Sequence, residues 1–348
     1  MELYGIRGEV YKWIKSYMTN RKQQVKFGSS ISEEKNTVHG VPQGSVLGPL
    51  LFVLYINDIV EQLSYCSCRM FADDTVIYVS DKNICEVENK LNYDLRQVVR
   101  WLEINSLSLN ITKTKFMMLH DQRKPYQINS CDILIEGTKV EEVGEYKYLG
   151  VIIDKNLRFD KLAANIVKKV AKKVNFMYRI NRYVSASTLV IIYKSIIAPH
   201  FECCSTLLIN VNKEWMDILQ KTQNRGMRAI LRCNRYTRVR DMLDALGFLN
   251  IRQRMVNNVC VFVYKIKNGM LPGYLSDEIK YVNERHAYNT RQRNDIDIKF
   301  CKTRVGQKNL TYTGFKMFNK LSTELKETES LFAFKRKLAE YVRGRENI

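Results

Sequence analysis

The chain has 348 residues, enough to bury a sizeable core and to divide into two or three domains. Its 56 Lys and Arg against 36 Asp and Glu leave a formal net charge of +20, which predicts salt-sensitive attraction to polyanions but names no reaction. The longest nearly uncharged apolar run, residues 46–56, contains Gly48 and Pro49 and falls well short of the roughly 20 residues a spanning helix needs; the charged opening, residues 1–9, lacks the apolar core of a secretory signal. Membrane residence and secretion are therefore disfavoured, and an intracellular protein, cytoplasmic or nuclear, is expected.

In chain order, Val10, Ile14 and Tyr17 fall at helical spacing from Gly8 to Met18, and Thr19-Asn20-Arg21 ends the pattern. The alternation of Gln24, Val25, Lys26 and Phe27 predicts a strand, and the small, polar stretch 28–36 predicts a connecting loop. In residues 39–52, Pro42, Gly44, Gly48 and Pro49 shape a tight loop ahead of an apolar helix. Residues 70–79 read as two short strands meeting at the turn-forming pair Asp73-Asp74. Leu91, Leu95, Val98 and Leu102 form an i, i+4, i+7, i+11 stripe, which predicts an amphipathic helix over about 83–105.

From 128 to 153 the pattern is β-like, with Ile133-Leu134-Ile135 and then the run 148–153. After Asp160 it becomes helical. Leu162, Ile166, Val170 and Val174 share one face, while Lys161, Lys168, Lys169, Lys172, Lys173, Arg179 and Arg182 supply charge with no acid between them. Further helices are expected at 187–197, 215–231 and 252–267. The tail carries an aromatic-basic run at 285–293 and an amphipathic stretch around Phe332, Phe334 and Leu338. The expected fold class is α+β.

The nine cysteines are odd in number and scattered, which suits reduced thiols. His200 with Cys203 and Cys204 is the one metal-like cluster, but zinc sites prefer paired ligands at regular spacing. We read these as buried helix residues and expect no structural zinc.

The chemistry concentrates in two segments. A Pro-Gly loop allows close backbone approach to a nucleotide, although loops of this composition also serve as plain connections. Adjacent carboxylates on a hairpin between apolar strands hold hard oxygen ligands in fixed geometry, as Mg2+ requires while gripping a triphosphate. Two aspartates at a turn can equally be a solvated surface turn.

Pro42-Gln43-Gly44, Phe71-Ala72-Asp73-Asp74, Leu109-Asn110-Ile111-Thr112-Lys113-Thr114 and Tyr148-Leu149-Gly150-Val151 stand in the order of the palm motifs of LINE-type (non-LTR) retrotransposon reverse transcriptases, and the chain resembles that family, in particular its jockey-like members. The resemblance implies a partial right-hand polymerase palm at 1–127 and a hairpin region with a primer-grip-like motif at 128–158. A helical thumb-like region at 159–245 and a basic, aromatic, mostly helical region at 246–348 would follow. It implies that Asp73 is a principal metal carboxylate with Asp74 its neighbour, binding Mg2+ or Mn2+. Pro42, Gln43, Gly44, Phe71 and Ala72 would lie beside the incoming nucleotide and template. Lys113 would approach the triphosphate, with Lys115 a nearby competitor, and Tyr148, Leu149 and Gly150 would grip the primer. Lys168, Lys169, Lys172 and Lys173 would track a nucleic-acid backbone. The implied partners are an RNA template, a DNA primer or target DNA, and deoxynucleoside triphosphates.

The family places a further metal-binding Asp on a strand upstream of the first helix. Before Pro42 the only acids here are Glu2, Glu9, Glu33 and Glu34, none on an apolar strand. The expectation is therefore an N-terminally truncated polymerase that is inactive alone. The alternatives are a non-catalytic nucleic-acid-binding protein and an unselected transposon relic.

Overall fold

Helix α1 (Gly8–Met18) turns one apolar residue, Ile14, into the interior and leaves Val10 and Trp13 exposed. The chain is described by a computed structural model over residues 2–38, 40–120, 131–285 and 293–345. The aromatic-basic segment 286–292, His39 and the expected boundary at 127/128 lie outside the described residues. The described chain separates into two compact units, residues 1–144 and 145–348.

In the first unit all strands pair as two-stranded ribbons. Strand β1 (Arg21–Gln23) pairs antiparallel with β4 (Lys35–Thr37), and β2 (Lys26–Phe27) with β3 (Ser30–Ile31) across a turn in which Gly28 takes φ +61°. The stretch 28–36 is therefore not the plain loop expected. Its paired residues are polar or solvent-exposed on both faces, so no apolar alternation marks them.

Helix α2 (Gly48–Ile56) follows the Pro-Gly loop, with Pro49 at its first turn where a missing N–H is tolerated. Strands β5 (Ser67–Phe71) and β6 (Asp74–Tyr78) form the next hairpin. Helix α3 (Ile84–Ile104) is capped by Asn83, whose side chain accepts from Cys85 N at 3.0 Å. Its expected stripe divides between two cores: Val98, Trp101 and Leu102 pack with Ile56 and Ile59, while Leu91 and Leu95 pack under Cys131, Ile133, Ile135 and Val140. Each such fully buried aliphatic stabilises by about 1.5–3 kcal/mol. Strand β7 (Lys115–Phe116), the hairpin of β8 (Leu134–Ile135) with β9 (Thr138–Lys139), and β10 (Glu141–Glu142) complete the unit; β10 runs parallel to β7.

The second unit opens with β11 (Glu145–Tyr148) and β12 (Val151–Asp154). Within the β-like run 148–153 the two strands meet at a two-residue turn: Leu149 and Gly150 both have positive φ (47° and 84°), the handedness a tight hairpin needs. Helix α4 (Asp160–Ile180) buries Leu162, Ile166, Val170 and Val174 as their spacing predicts, with Ala163 and Met177. Helix α5 (Ala186–Ile192) runs through a π turn, Tyr193–Ile197, into α6 (Ala198–Glu202), and a short α7 (Ser205–Leu208) follows.

Helix α8 (Lys213–Leu231) packs along α4, and α9 (Val239–Leu246) against α8. Helix α10 (Ile251–Lys267) starts at a reciprocal capping box between Asn250 and Gln253 and buries eight side chains at the centre of the unit. The C-terminal helix Leu331–Arg343 closes on it, with Phe334 stacked on Tyr264 at 4.1 Å between ring centroids. Phe334 and Leu338 are buried as expected, but Phe332 lies outside, 78% exposed. No helix among the described residues is long and apolar enough to cross a membrane.

Candidate active site

The β5–β6 hairpin is closed by the Phe71↔Asp74 pair, so its turn residues are Ala72 and Asp73. This shifts the expected Asp73-Asp74 turn by one residue: Asp73 stands on the turn and Asp74 opens β6. The shift requires Ala72 to adopt φ +53°, a left-handed conformation that costs a residue with a Cβ about 1 kcal/mol. Strain of this kind persists where surrounding pairing over-determines it, and here five consecutive pairs from Ser67↔Tyr78 to Phe71↔Asp74 hold the hairpin. Both carboxylates are exposed, and neither has an ion-pair partner among the described residues. Phe71 beside them is 65% exposed, an apolar ring at a charged tip.

The approach to β5 is anchored by a residue that sequence reasoning passed over. Asp94, fully buried on α3, accepts backbone N–H groups from Ser64 (3.0 Å), Tyr65 (2.9 Å) and Cys66 (2.7 Å). Burial opposes its charge, but these three donors and the Cys66 thiol together outweigh burial and hold the carboxyl below the usual carboxylate range. Burial first, and then Asp94 itself, push the Cys66 thiol up to about 12. An acid inside an otherwise apolar helical stripe was the available signal.

The Pro-Gly loop is also internally closed. Ser45 Oγ donates to Pro42 O at 2.7 Å and accepts from Gly48 N at 3.0 Å. A Cβ on Gly48 would stand 2.9 Å from Ser45 Oγ and 3.1 Å from Pro42 O, so only glycine fits. Gln43 and Gly44 at the turn are exposed, Gly44 with φ +78°, while Pro42 is half-buried.

Lys113 and Lys115 separate clearly. Asn110 folds the 110–114 turn by accepting from Lys113 N (3.1 Å) and Thr112 Oγ1 (2.7 Å), and the Lys113 side chain is left exposed with no ion-pair partner among the described residues. Lys115 Nζ is bound to Glu141 at 2.6 Å.

In the second unit, Tyr148 is half-buried at the end of β11 and Leu149 and Gly150 form the exposed tip. Lys168, Lys169 and Lys172 are exposed on α4. Lys173 instead turns inward, donating to Ile196 O at 2.8 Å and meeting His200 Nε2 at 2.5 Å. Burial, then the charges of Lys173 and Lys169, lower the His200 pKa, so the imidazole accepts as a neutral ring. Cys203 and Cys204 lie with their sulfurs 3.6 Å apart. Among the described residues no group of three or more His, Cys, Asp or Glu is arranged to hold a metal ion.

Comparison with known proteins identifies one part of the chain. Residues 2–153, which include the Pro42 loop, the Asp73-Asp74 hairpin, Lys113 and the Tyr148 turn, match the profile of the reverse transcriptases (RNA-dependent DNA polymerases). The chain carries a reverse-transcriptase domain. It is 28% identical over 232 residues to a probable RNA-directed DNA polymerase from transposon X-element of Drosophila melanogaster, covering 65% of this chain and 25% of that protein. Its likeness to the RNA-directed DNA polymerase from mobile element jockey of the same fly is 26% over 260 residues, 72% of this chain and 28% of the other. A Pol polyprotein from the type-1 retrotransposable element R1 2 of Nasonia vitripennis is 26% identical over 274 residues, 74% and 60% respectively. The domain's relatives are thus non-LTR retrotransposon polymerases, as the motif order implied. The chain spans about a quarter of the length of the X-element and jockey proteins.

Proposed function

We propose that this reverse-transcriptase domain contributes to RNA-directed DNA synthesis, with Asp73 and Asp74 as ligands for Mg2+ or Mn2+ at the site of nucleotidyl transfer. The observation that carries the reading is the strained turn: a two-residue tip with Ala72 at positive φ presents two unpaired carboxylates, inside the segment matched by the family profile. Exposed carboxylate oxygens fit hard divalent ions, and two of them leave most of an octahedral shell to water, triphosphate oxygens and further carboxylates. The bound metals supply activation of the primer 3′-hydroxyl and charge stabilisation for the departing pyrophosphate.

The chain's own residues prepare that reaction. The Ser45-locked loop offers the Gln43-Gly44 backbone to a nucleotide and template, with Pro42 as its hinge and Phe71 and Ala72 flanking the carboxylates. Lys113, free where Lys115 is paired, supplies positive charge or a proton to the leaving pyrophosphate. Tyr148, Leu149 and Gly150 steady the primer. Residues 159–245 act as a thumb whose Lys168, Lys169 and Lys172 contact duplex phosphates, and Lys173 shapes that helix by binding Ile196 and His200. Nine free thiols suit a reducing compartment, cytoplasmic or nuclear.

Metal-directed cleavage tests the site. With Fe2+ replacing Mg2+ in a protein extended upstream of Met1 and loaded with template, primer and nucleotide, oxidative backbone cuts are expected within 71–75 and should vanish in Asp73→Asn. Cuts elsewhere only, or cuts indifferent to that substitution, would refute the assignment.

A further inference from the structure

Two stretches of the second unit contain no acid at all. Residues 161–201 hold eight Lys and Arg, and residues 218–240 hold Lys221, Arg225, Arg228, Arg232, Arg235, Arg238 and Arg240. Charge runs of this length usually sit on separate solvated faces. Here they are brought together, because α4 packs along α8.

At the seam three arginines donate to neutral acceptors. Arg225 donates to Asn175 Oδ1 at 3.0 Å, Arg228 to Arg235 O at 3.2 Å, and Arg232 to Val184 O at 2.7 Å. Tyr178 OH donates to Arg225 O at 3.1 Å and ties the same seam from the α4 side. These bonds fix the directions of three guanidinium groups without neutralising them. None of the three has an ion pair among the described residues, and the buried Nε of Arg228 has no acceptor. The nearest acids along the chain, Asp217 and Asp241, bond to none of them. A guanidinium fork oriented in advance and left charged is suited to phosphate oxygens.

Exposed aromatic rings stand at one end of the row, where both helices finish. Tyr183, just beyond α4, is 86% exposed, and Tyr236, just beyond α8, is 76% exposed. Arg235 braces Tyr236, lying 4.8 Å from the ring centroid and donating to its hydroxyl at 2.6 Å. A ring held in place yet open to solvent can stack on a base, and only unpaired bases offer their faces.

We propose that the α4–α8 seam binds single-stranded nucleic acid, with Arg225, Arg228 and Arg232 on successive phosphates and Tyr183 and Tyr236 stacking bases at its Arg232 end. Asp73 and Asp74 take no part in this surface, so a chain with no polymerase activity would still show it.

The test is fluorescence anisotropy of the full chain with 20-nucleotide oligo(U), oligo(dT) and a 20-base-pair duplex across a salt series. Glutamine keeps an amide donor and removes the charge, so Arg225→Gln, Arg228→Gln and Arg232→Gln together should leave the fold intact, checked by circular dichroism. The log–log salt slope on the single strands should fall by about 2, since each lost phosphate contact contributes about 0.7. Tyr236→Ala and Tyr183→Ala, both on exposed rings where misfolding is not at issue, should each weaken oligo(U) or oligo(dT) binding about tenfold and leave duplex binding within twofold. Preferential loss on oligo(U) identifies RNA as the natural strand, and equal loss identifies a strand of either sugar. An unchanged salt slope, or tyrosine variants that weaken strand and duplex alike, would overturn the proposal.

Discussion

Asp94 offers the sharpest test of how this domain holds its candidate site. Its carboxylate is fully buried and accepts three backbone N–H groups at 2.7–3.0 Å from the segment that leads into β5. Hydrogen bonds to a charged group contribute about 1.5–3 kcal/mol each, but they are not additive, and the loss of a buried charged partner typically costs about 3–5 kcal/mol in total. Asp94→Ala should therefore destabilise the first unit by about 3–5 kcal/mol, much of a domain's usual 5–15. Asp94→Asn keeps one carbonyl acceptor and should cost about 2 kcal/mol. The assay is urea denaturation followed by Trp101, which packs in the α3 core. Because the folded Asp94 pKa is depressed, its stabilisation is fully present above the unfolded value of about 3.9 and is lost as pH falls through the lower folded value. The gap between wild type and Asp94→Asn should thus be constant from pH 8 to about pH 5 and narrow only below about pH 4. Equal stability of the two proteins, or a gap that closes between pH 8 and 5, would refute the reasoning.

Three further outcomes follow from the same geometry. Gly48→Ala drives a Cβ to 2.9 Å from Ser45 Oγ and 3.1 Å from a backbone oxygen, and should lower the midpoint of thermal unfolding by an amount equivalent to about 1–3 kcal/mol, measured by calorimetry. Gly226→Ala gains about 1 kcal/mol of helix propensity but sets its Cβ 3.0 Å from the fully buried Tyr193 ring; since that ring is also stacked on Phe248, a net loss of about 1 kcal/mol is expected in the same measurement. In an active upstream-extended protein, Lys113→Met should slow single-nucleotide incorporation about 100-fold, whereas Lys115→Met, which only breaks a pair with exposed Glu141, should slow it less than threefold in rapid-quench kinetics.

The helices were the most legible part of the fold, because a buried stripe at helical period leaves a mark in sequence. The Leu162, Ile166, Val170 and Val174 face of α4 is buried throughout. Paired polar ribbons leave no such mark, and β3 and β4 were therefore expected as loop. The hairpin carrying Asp73 and Asp74 was readable, but its turn was not, since the preference of Asp for turns competes with cross-strand pairing and pairing won at the expense of Ala72. Lys173 shows a different limit: periodicity placed it with the exposed lysines, while its actual partners come from residues 23 and 27 positions away. Asp94 and Ser45 act through backbone groups brought together only by folding, and the α4–α8 arginine seam depends on helix packing that periodicity alone does not specify.

The central claim, that Asp73 and Asp74 form part of a polymerase metal centre, is tested most directly by primer extension on poly(rA)/oligo(dT) with Mg2+ or Mn2+. The chain should be compared with a version extended upstream and with Asp73→Asn in that longer protein. Incorporation that Asp73→Asn abolishes is the predicted result; extension that survives Asp73→Asn would contradict it.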